Sequence, residues 1–374
     1  FWQRLVNFTV GLGVTGTLTE LPSGGQSWPD PTSSDATKID DLWHAAVNSR
    51  GDFFSAADPT AFSNALTNAL TAIVSRTGSA SAVAANSNSL MTNGRIYQAK
   101  FNSGDWSGQL LSIPISVTGV LGTTEWDASA ISLAASNVNP SARVMITKGT
   151  TDGVALQYAN LATTQKAFLN KNVAGTVDNC GVERVAYLRG TATQENNSGT
   201  FTCASTSSIN KFRVRSTTKL GDIVNSGPTY VSRPGAGYSN VDHPGYAAFK
   251  NDYKDRVPMV YVGANDGILH GFNACIAGVT AGCTTADAGK ELFAYIPSQV
   301  YENLNRLSDK DYNTSHRYFA DGSPMVGDIY SSTTSSWRSV LVGGLSGGGQ
   351  GFYARNVTNP NAASKSEPVL SAGN

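Results

Sequence analysis

The sequence predicts a multidomain fold, α/β over residues 1–76 and mainly β beyond, ending in the first blades of a β-propeller. Three observations predict it. A strand pattern followed by two helical stripes fills the start, period-two alternation sets in at about Arg95, and an internal repeat with an offset of 80 residues occupies the C-terminal part. The 374 residues leave room for two or three domains.

Phe8, Val10, Leu12 and Val14 alternate as a strand, and a Pro/Gly/Ser loop runs from Pro22 to Ser34. Ile39, Leu42, Trp43, Ala46 and Val47 then recur at helical spacing, with Ser34 or Asp35 placed to cap the N-terminus and Gly51 to close the helix. A second helix is expected from Asp58-Pro59, with Phe62, Leu66, Leu70 and Ile73 on its apolar face and Gly78 at its end. Tyr97, Ala99 and Phe101 alternate before Asn102-Ser103-Gly104-Asp105, and Trp106 to Ile115 returns, which predicts a β-hairpin. Residues 120–175 mix short helical patterns with loops, and Thr191 to Ser208 reads as a polar loop or linker.

The repeat sets Val260-Tyr261-Val262-Gly263, Gly267, Gly271-Phe272 and Ala274 against Val340-Leu341-Val342-Gly343, Gly347, Gly351-Phe352 and Ala354. Asn225-Ser226-Gly227-Pro228 precedes one copy and Asp321-Gly322-Ser323-Pro324 the other. An apolar strand, a glycine-centred turn and an aromatic strand make the signature of a propeller blade, with Asn265-Asp266-Gly267 as the hairpin turn of the first copy. Two copies cannot close a ring, so further blades are expected beyond Asn374.

Lys+Arg and Asp+Glu number 27 each, so no excess of positive charge argues for nucleic acid or an anionic membrane surface. No apolar run approaches the roughly 18 residues of a membrane span. Charged residues make up only 14%. That is below the roughly 25% of a typical soluble domain and fits an exported, turn-rich β protein. The chain opens at Phe1 without an initiator Met, so it reads as a piece of something longer. Cys180 and Cys203 bracket one polar loop and Cys275 and Cys283 another. Two loop-closing disulfides or four free thiols fit these positions, and neither pair has the C-x-x-C spacing of a zinc site.

Motifs of chemistry fail on context. Gly11-x-Gly13-x-x-Gly16 matches a dinucleotide fingerprint by letter, but a proline-rich loop follows where a helix is required. Gly344-Leu345-Ser346-Gly347-Gly348 matches a nucleophile elbow, but the next segment reads as a strand. His44, His243, His270 and His316 are dispersed and read as packing or surface residues. Arg50-Gly51-Asp52 is an adhesion-type triplet at a helix end, where Gly51 also serves as a cap. Asp222, Asp266, Asp321 and Asp328 stand beside or near glycines and read as turn formers, with a weak cation role as the alternative. The loop Ala274 to Gly289 and the loop Arg233 to Lys250, with Tyr238, Tyr246 and Phe249, are candidate display elements. The second loop reads also, and somewhat better, as folding over the blade edge.

The stretches "FTVGLGVTGTL", "DDLWHAAVNSRGDFFSAADP", "YQAKFNSGDWSGQL", "VERVAYLRG", "LGDIVNSGPTYV", "VYVGANDGILHGFNA" and "RYFADGSP" together resemble the PilY-type family of type IV pilus biogenesis and tip-associated proteins. The resemblance implies that residues 1–76 end a von Willebrand factor A-like domain. It makes 77–211 a β-rich connecting region and 212–374 the first two blades of an incomplete quinoprotein-like propeller. It further implies export through the periplasm to the pilus tip, and a role in pilus extension and surface or host adhesion by binding, without catalysis. Minor pilins would be the partners. The family's metal loops would lie outside this segment, so no metal ligand or cofactor is assigned here and Ca2+ belongs to the full-length protein. A periplasmic quinoprotein-like dehydrogenase is the alternative that "VYVGANDGILHGFNA" raises.

Overall fold

The computed structural model describes residues 7–22, 27–49, 53–56, 82–85, 93–136, 138–151, 153–203 and 208–360. The chain divides into two compact units, Phe1–Thr77 and Gly78–Asn374.

In the first unit β1 (Thr9–Leu12) pairs in parallel with β2 (Phe53–Ala56), Thr9 opposite Phe53 and Leu12 opposite Ala56. Parallel strands need a crossover, and α1 (Asp35–Asn48) supplies it. Ser34 caps the helix by accepting from Thr37 N–H, while the Thr37 hydroxyl accepts from Ser34 N–H. This is a capping box with threonine where glutamate is usual. The helix ends at Ser49, whose N–H bonds Ala45 C=O. Gly51 and the second helix expected from Asp58 lie outside the described residues. Trp43 stacks on Phe53 with ring centroids 5.9 Å apart. The glycine motif enters no helix. Its Gly16 sits against buried Asp40, whose carboxylate accepts from Thr17 N–H at 3.0 Å and Leu18 N–H at 3.1 Å. A Cβ on residue 16 would strike that carboxylate.

The second unit begins with β3 (Ala82–Ala85), β4 (Gly94–Asn102), β5 (Ser107–Ile115) and β6 (Trp126–Asp127), an antiparallel sheet in that order. The expected hairpin is β4–β5, closing with Asn102 opposite Ser107. Asp127 caps the short α2 (Ala128–Ile131). There follow β7 (Met145–Lys148), β8 (Gly153–Ala155), α3 (Thr163–Leu169), α4 (Gly181–Arg189), β9 (Thr200–Thr202) and β10 (Ser208–Asn210). Then come β11 (Thr229–Val231), α5 (Tyr246–Asp252), β12 (Met259–Gly263), β13 (Leu269–Asn273), β14 (Glu291–Ile296) and α6 (Tyr301–Leu304). The last strands are β15 (Met325–Ser331), β16 (Ser336–Gly344) and β17 (Phe352–Asn356).

The two sequence repeats are the hairpins β12–β13 and β16–β17. Gly267, at φ 86°, takes the left-handed position of the first turn. The boundary expected at 211/212 does not separate two bodies. β14 pairs in parallel with β7, giving one six-stranded sheet in the order β11-β12-β13-β14-β7-β8. Nor is the described stretch from Thr191 to Cys203 a free linker. The Glu195 side chain is almost inaccessible, bonded to Arg215 Nε at 2.9 Å and Lys219 Nζ at 2.8 Å. Both pairings are non-local and leave no local pattern.

β12 and β13 are buried on both faces, as every residue of each strand shows. Val260, Val262 and Phe272 join Tyr97, Leu110 and Trp126 in one core. Met259, Tyr261 and Leu269 join Leu341, Leu345 and Tyr353 in the other. Strand alternation directs neighbouring residues to opposite sides.

Candidate functional site

The charged interior of the second unit is where ionisable side chains converge. His270 lies on β13, fully buried, opposite Val262 on one side and Ala294 on the other. Its Nδ1 meets Glu291 Oε1 at 2.7 Å and its Nε2 meets Asp266 Oδ2 at 3.1 Å. Glu291 in turn accepts from Arg143 Nε at 2.6 Å and Nη2 at 2.9 Å. Asp266 accepts from Gly221 N–H at 3.0 Å. The result is a buried line of alternating charge, Arg143, Glu291, His270, Asp266. Burial works against a charged ring, but the two carboxylates outweigh it and hold the His270 pKa up at about 9. Burial likewise opposes the Glu291 carboxylate, and Arg143 and His270 override it, down to about 2. With a carboxylate on each ring nitrogen, both nitrogens are donors and neither is free to act as a base.

A second line joins the sheets. His316 Nε2 bonds Asp222 Oδ2 at 2.9 Å, Asn265 Nδ2 donates to the same oxygen at 2.7 Å, and Phe319 N–H donates to Asn265 Oδ1 at 3.0 Å. His316 also stacks on Trp106, centroids 3.6 Å apart. Asp222, Asp266, Asp321 and Asp328 are all buried, and each carboxylate is engaged by protein donors. They join sheets and strands and do more than form turns. Asp321 accepts from Asn225 N–H at 3.1 Å and Nδ2 at 2.6 Å, and Ser226 Oγ donates to Gly322 C=O at 3.1 Å. The two turn motifs that precede the repeats therefore clasp each other. Asp321→Ala is expected to lower stability by about 1–3 kcal/mol, read from urea unfolding, because Asn225 N–H loses its acceptor.

The candidate display residues separate. Tyr246 and Phe249 are buried on α5, so of the two readings of this loop they fit the one that folds over the blade edge and not display. Tyr246 Oη donates to Asp328 Oδ2 at 2.7 Å and accepts from Ala236 N–H at 2.8 Å, so it fastens the loop to β15. Tyr246→Phe should cost about 1 kcal/mol by the same unfolding assay, with the ring's packing retained. Tyr238 stays exposed and packs beside Trp337, centroids 5.5 Å apart, and exposed Tyr330 packs on the same Trp337 at 5.7 Å. Trp337 and Tyr330 belong to this aromatic patch, and only the fold brings them to Tyr238. Arg50, Gly51 and Asp52 lie outside the described residues.

Cys180 is bonded to Cys203 and Cys275 to Cys283. Among the described residues, Cys180, Glu183 and Cys203 form the one group of three metal-type donors whose ligand atoms all lie within 4.8 Å of one another, and both sulfurs are spent in the disulfide. Ser346 begins a single 3-10 turn that leads into strand β17, so the nucleophile-elbow letters form a hairpin connection.

A family model described as "PilY1 beta-propeller domain" matches residues 220–369. The chain is 34% identical over 396 residues to "Type IV pilus biogenesis factor PilY1" of Pseudomonas aeruginosa strain PAO1, covering 96% of this chain and 31% of that protein. The chain belongs to the PilY-type family. A PilY1 homolog of Xylella fastidiosa is 36% identical over 316 residues, 83% of this chain and 22% of the relative. The crystal structure of the P. aeruginosa PilY1 C-terminal domain is 35% identical, covers 35% of this chain and 23% of that one, and has a TM-score of 0.25. This PilY-type chain thus spans less than a third of the length of the curated relatives it matches. The matched propeller segment opens at Leu220, just ahead of β11.

Proposed function

We propose that this chain is part of a pilus-tip protein needed for assembly and extension of type IV pili and for adhesion, working by binding and not by catalysis. The observation that carries the reading is similarity along 96% of the chain to a protein named as a type IV pilus biogenesis factor. Residues 1–76 are proposed to end a von Willebrand factor A-like domain, and the β1–α1–β2 crossover supports this. Two disulfides support passage through an oxidising compartment on the way to the cell surface. No described helix is long and apolar enough to cross a membrane. Minor pilins are the proposed partners, and Ca2+ is proposed for parts of the full-length protein outside this segment. The dehydrogenase alternative gains nothing from relatives named as biogenesis factors.

The test is retention of purified minor pilins by the full-length protein, with and without chelator, against an unrelated propeller. Specific retention is the expected result, and its loss on chelation would place a metal outside this segment. No retention in either buffer would overturn the pilus-tip reading. Tyr238→Ala with Tyr330→Ala, both partly exposed, should lower the unfolding midpoint only modestly and reduce adhesion to a surface.

A further inference from the structure

We infer that the sheet β3–β6 is itself a blade of the propeller, so that the ring begins at about Ala82, well ahead of residue 220. Three sheets share one construction. β3-β4-β5-β6, β11-β12-β13-β14 and β15-β16-β17 are each antiparallel with strands in chain order. Their first strands adjoin, β11 lying against β3 on one side and β15 on the other. That is the placement of innermost strands around a propeller axis.

The seams match as well. Between the second and third sheets, the end of β12 presses on the segment entering β15, where a Cβ on Gly263 would strike Ala320 C=O. Between the first and second, the start of β5 presses on the segment entering β11, where a Cβ on Gly108 would strike Gly221 C=O. Gly108 N–H donates to Leu220 C=O at 3.0 Å, and Ser107 bridges Gly221. Each entering segment is then held on its far side by the central turn or strand end of its own sheet. Asn265 N–H donates to Asp222 C=O at 2.9 Å, and Asp321 N–H donates to Leu345 C=O at 3.3 Å. A Cβ on Gly221 would meet Asp266, and one on Gly322 would meet Gly344. The same sandwich of glycine, entering segment and turn therefore occurs twice.

The packed faces complete the correspondence. Tyr97 of β4 stacks on Tyr230 of β11, centroids 5.7 Å apart, and Tyr353 of β17 lies 5.4 Å from Tyr295 of β14. β12 and β13 thus have a sheet on each side, as an inner member of a ring must. Residues 138–210 are on this view an insertion between the first and second blades, which adds β7 and β8 to the outer edge of β14.

The test uses the whole chain and three single substitutions, read by thermal unfolding and by hydrogen exchange of segments 94–115 and 259–273. Gly108→Ala and Gly263→Ala should each lower the unfolding midpoint and raise exchange in both segments. Gly327→Ala, where an added Cβ meets nothing within 4 Å, should change neither. In the unsubstituted chain the two segments should lose protection at one denaturant concentration. Separate loss of protection in 94–115, or a Gly108→Ala effect confined to that segment, would make β3–β6 an attached module and overturn the inference.

Discussion

Glu291→Ala is expected to destabilise the second unit by about 3–5 kcal/mol, the range for removing one partner of a buried ion pair. Glu291 receives both Arg143 and His270, and the side chains of all three are almost wholly buried. Truncation leaves two cations facing each other across the vacated site, away from bulk solvent. Glu291→Gln keeps the volume and one acceptor oxygen, so its loss should be smaller but in the same direction. Urea unfolding followed by tryptophan fluorescence measures both, and Lys310→Ala serves as the reference, because Lys310 pairs with Asp311 at an exposed site. A Glu291→Ala midpoint equal to that of the Lys310→Ala chain would show that the buried line of charge does not hold the sheets.

The second large effect is on pH. His270 has a folded pKa of about 9 against an ordinary value of 6.5. A group whose pKa is raised by folding contributes its stability fully below 6.5 and loses it as pH rises through about 9. The whole shift corresponds to about 3 kcal/mol. Glu291, held at about 2, contributes in the opposite sense: its stability is present above 4.5 and disappears as pH falls through 2. The two titrate as a coupled pair, so their contributions do not add. Unfolding midpoints should therefore be highest between about pH 4.5 and 6.5 and fall on either side. The His270→Gln chain should be less stable at pH 6 and should lack most of the decline between pH 6.5 and 9. A decline as steep as that of the unsubstituted chain would assign the alkaline limb to another group.

What the sequence disclosed was local. Ser34 and the stripe from Ile39 to Val47 announced α1, Asn102 to Asp105 announced the β4–β5 turn, and the paired Val-x-Val-Gly stretches announced two blades. Each signal needs only neighbours along the chain. The candidate site was much less legible. His270 stands four residues from Asp266, and that spacing is read as meaningful on a helix, whereas here it spans a β-turn. Its other partners stand at 143 and 291, and no pattern along the chain joins those numbers. Tyr246 and Phe249 looked like display residues because aromatic side chains beside glycines suit a contact loop. Tyr246 instead turns inward to Trp337 and to a hydrogen bond with Asp328, 82 residues on. The sheet β3–β6 was legible as a hairpin and invisible as a blade, since it lacks the letters of the repeat and shares only its backbone geometry.

The parallel pairing of β14 with β7 also sets an order of events for the nascent chain. Thr147 Oγ1 donates to Ile296 C=O across 149 residues, so β7 leaves the ribosome long before its partner exists. At about 5–20 residues per second that interval is roughly 7–30 s. Throughout it, Met145 and Ile146, both buried in the finished sheet, belong to a strand with one unpaired edge. Until β14 arrives, the β7–β8 hairpin keeps that edge open, and a chain truncated before Glu291 should aggregate more readily than the whole chain.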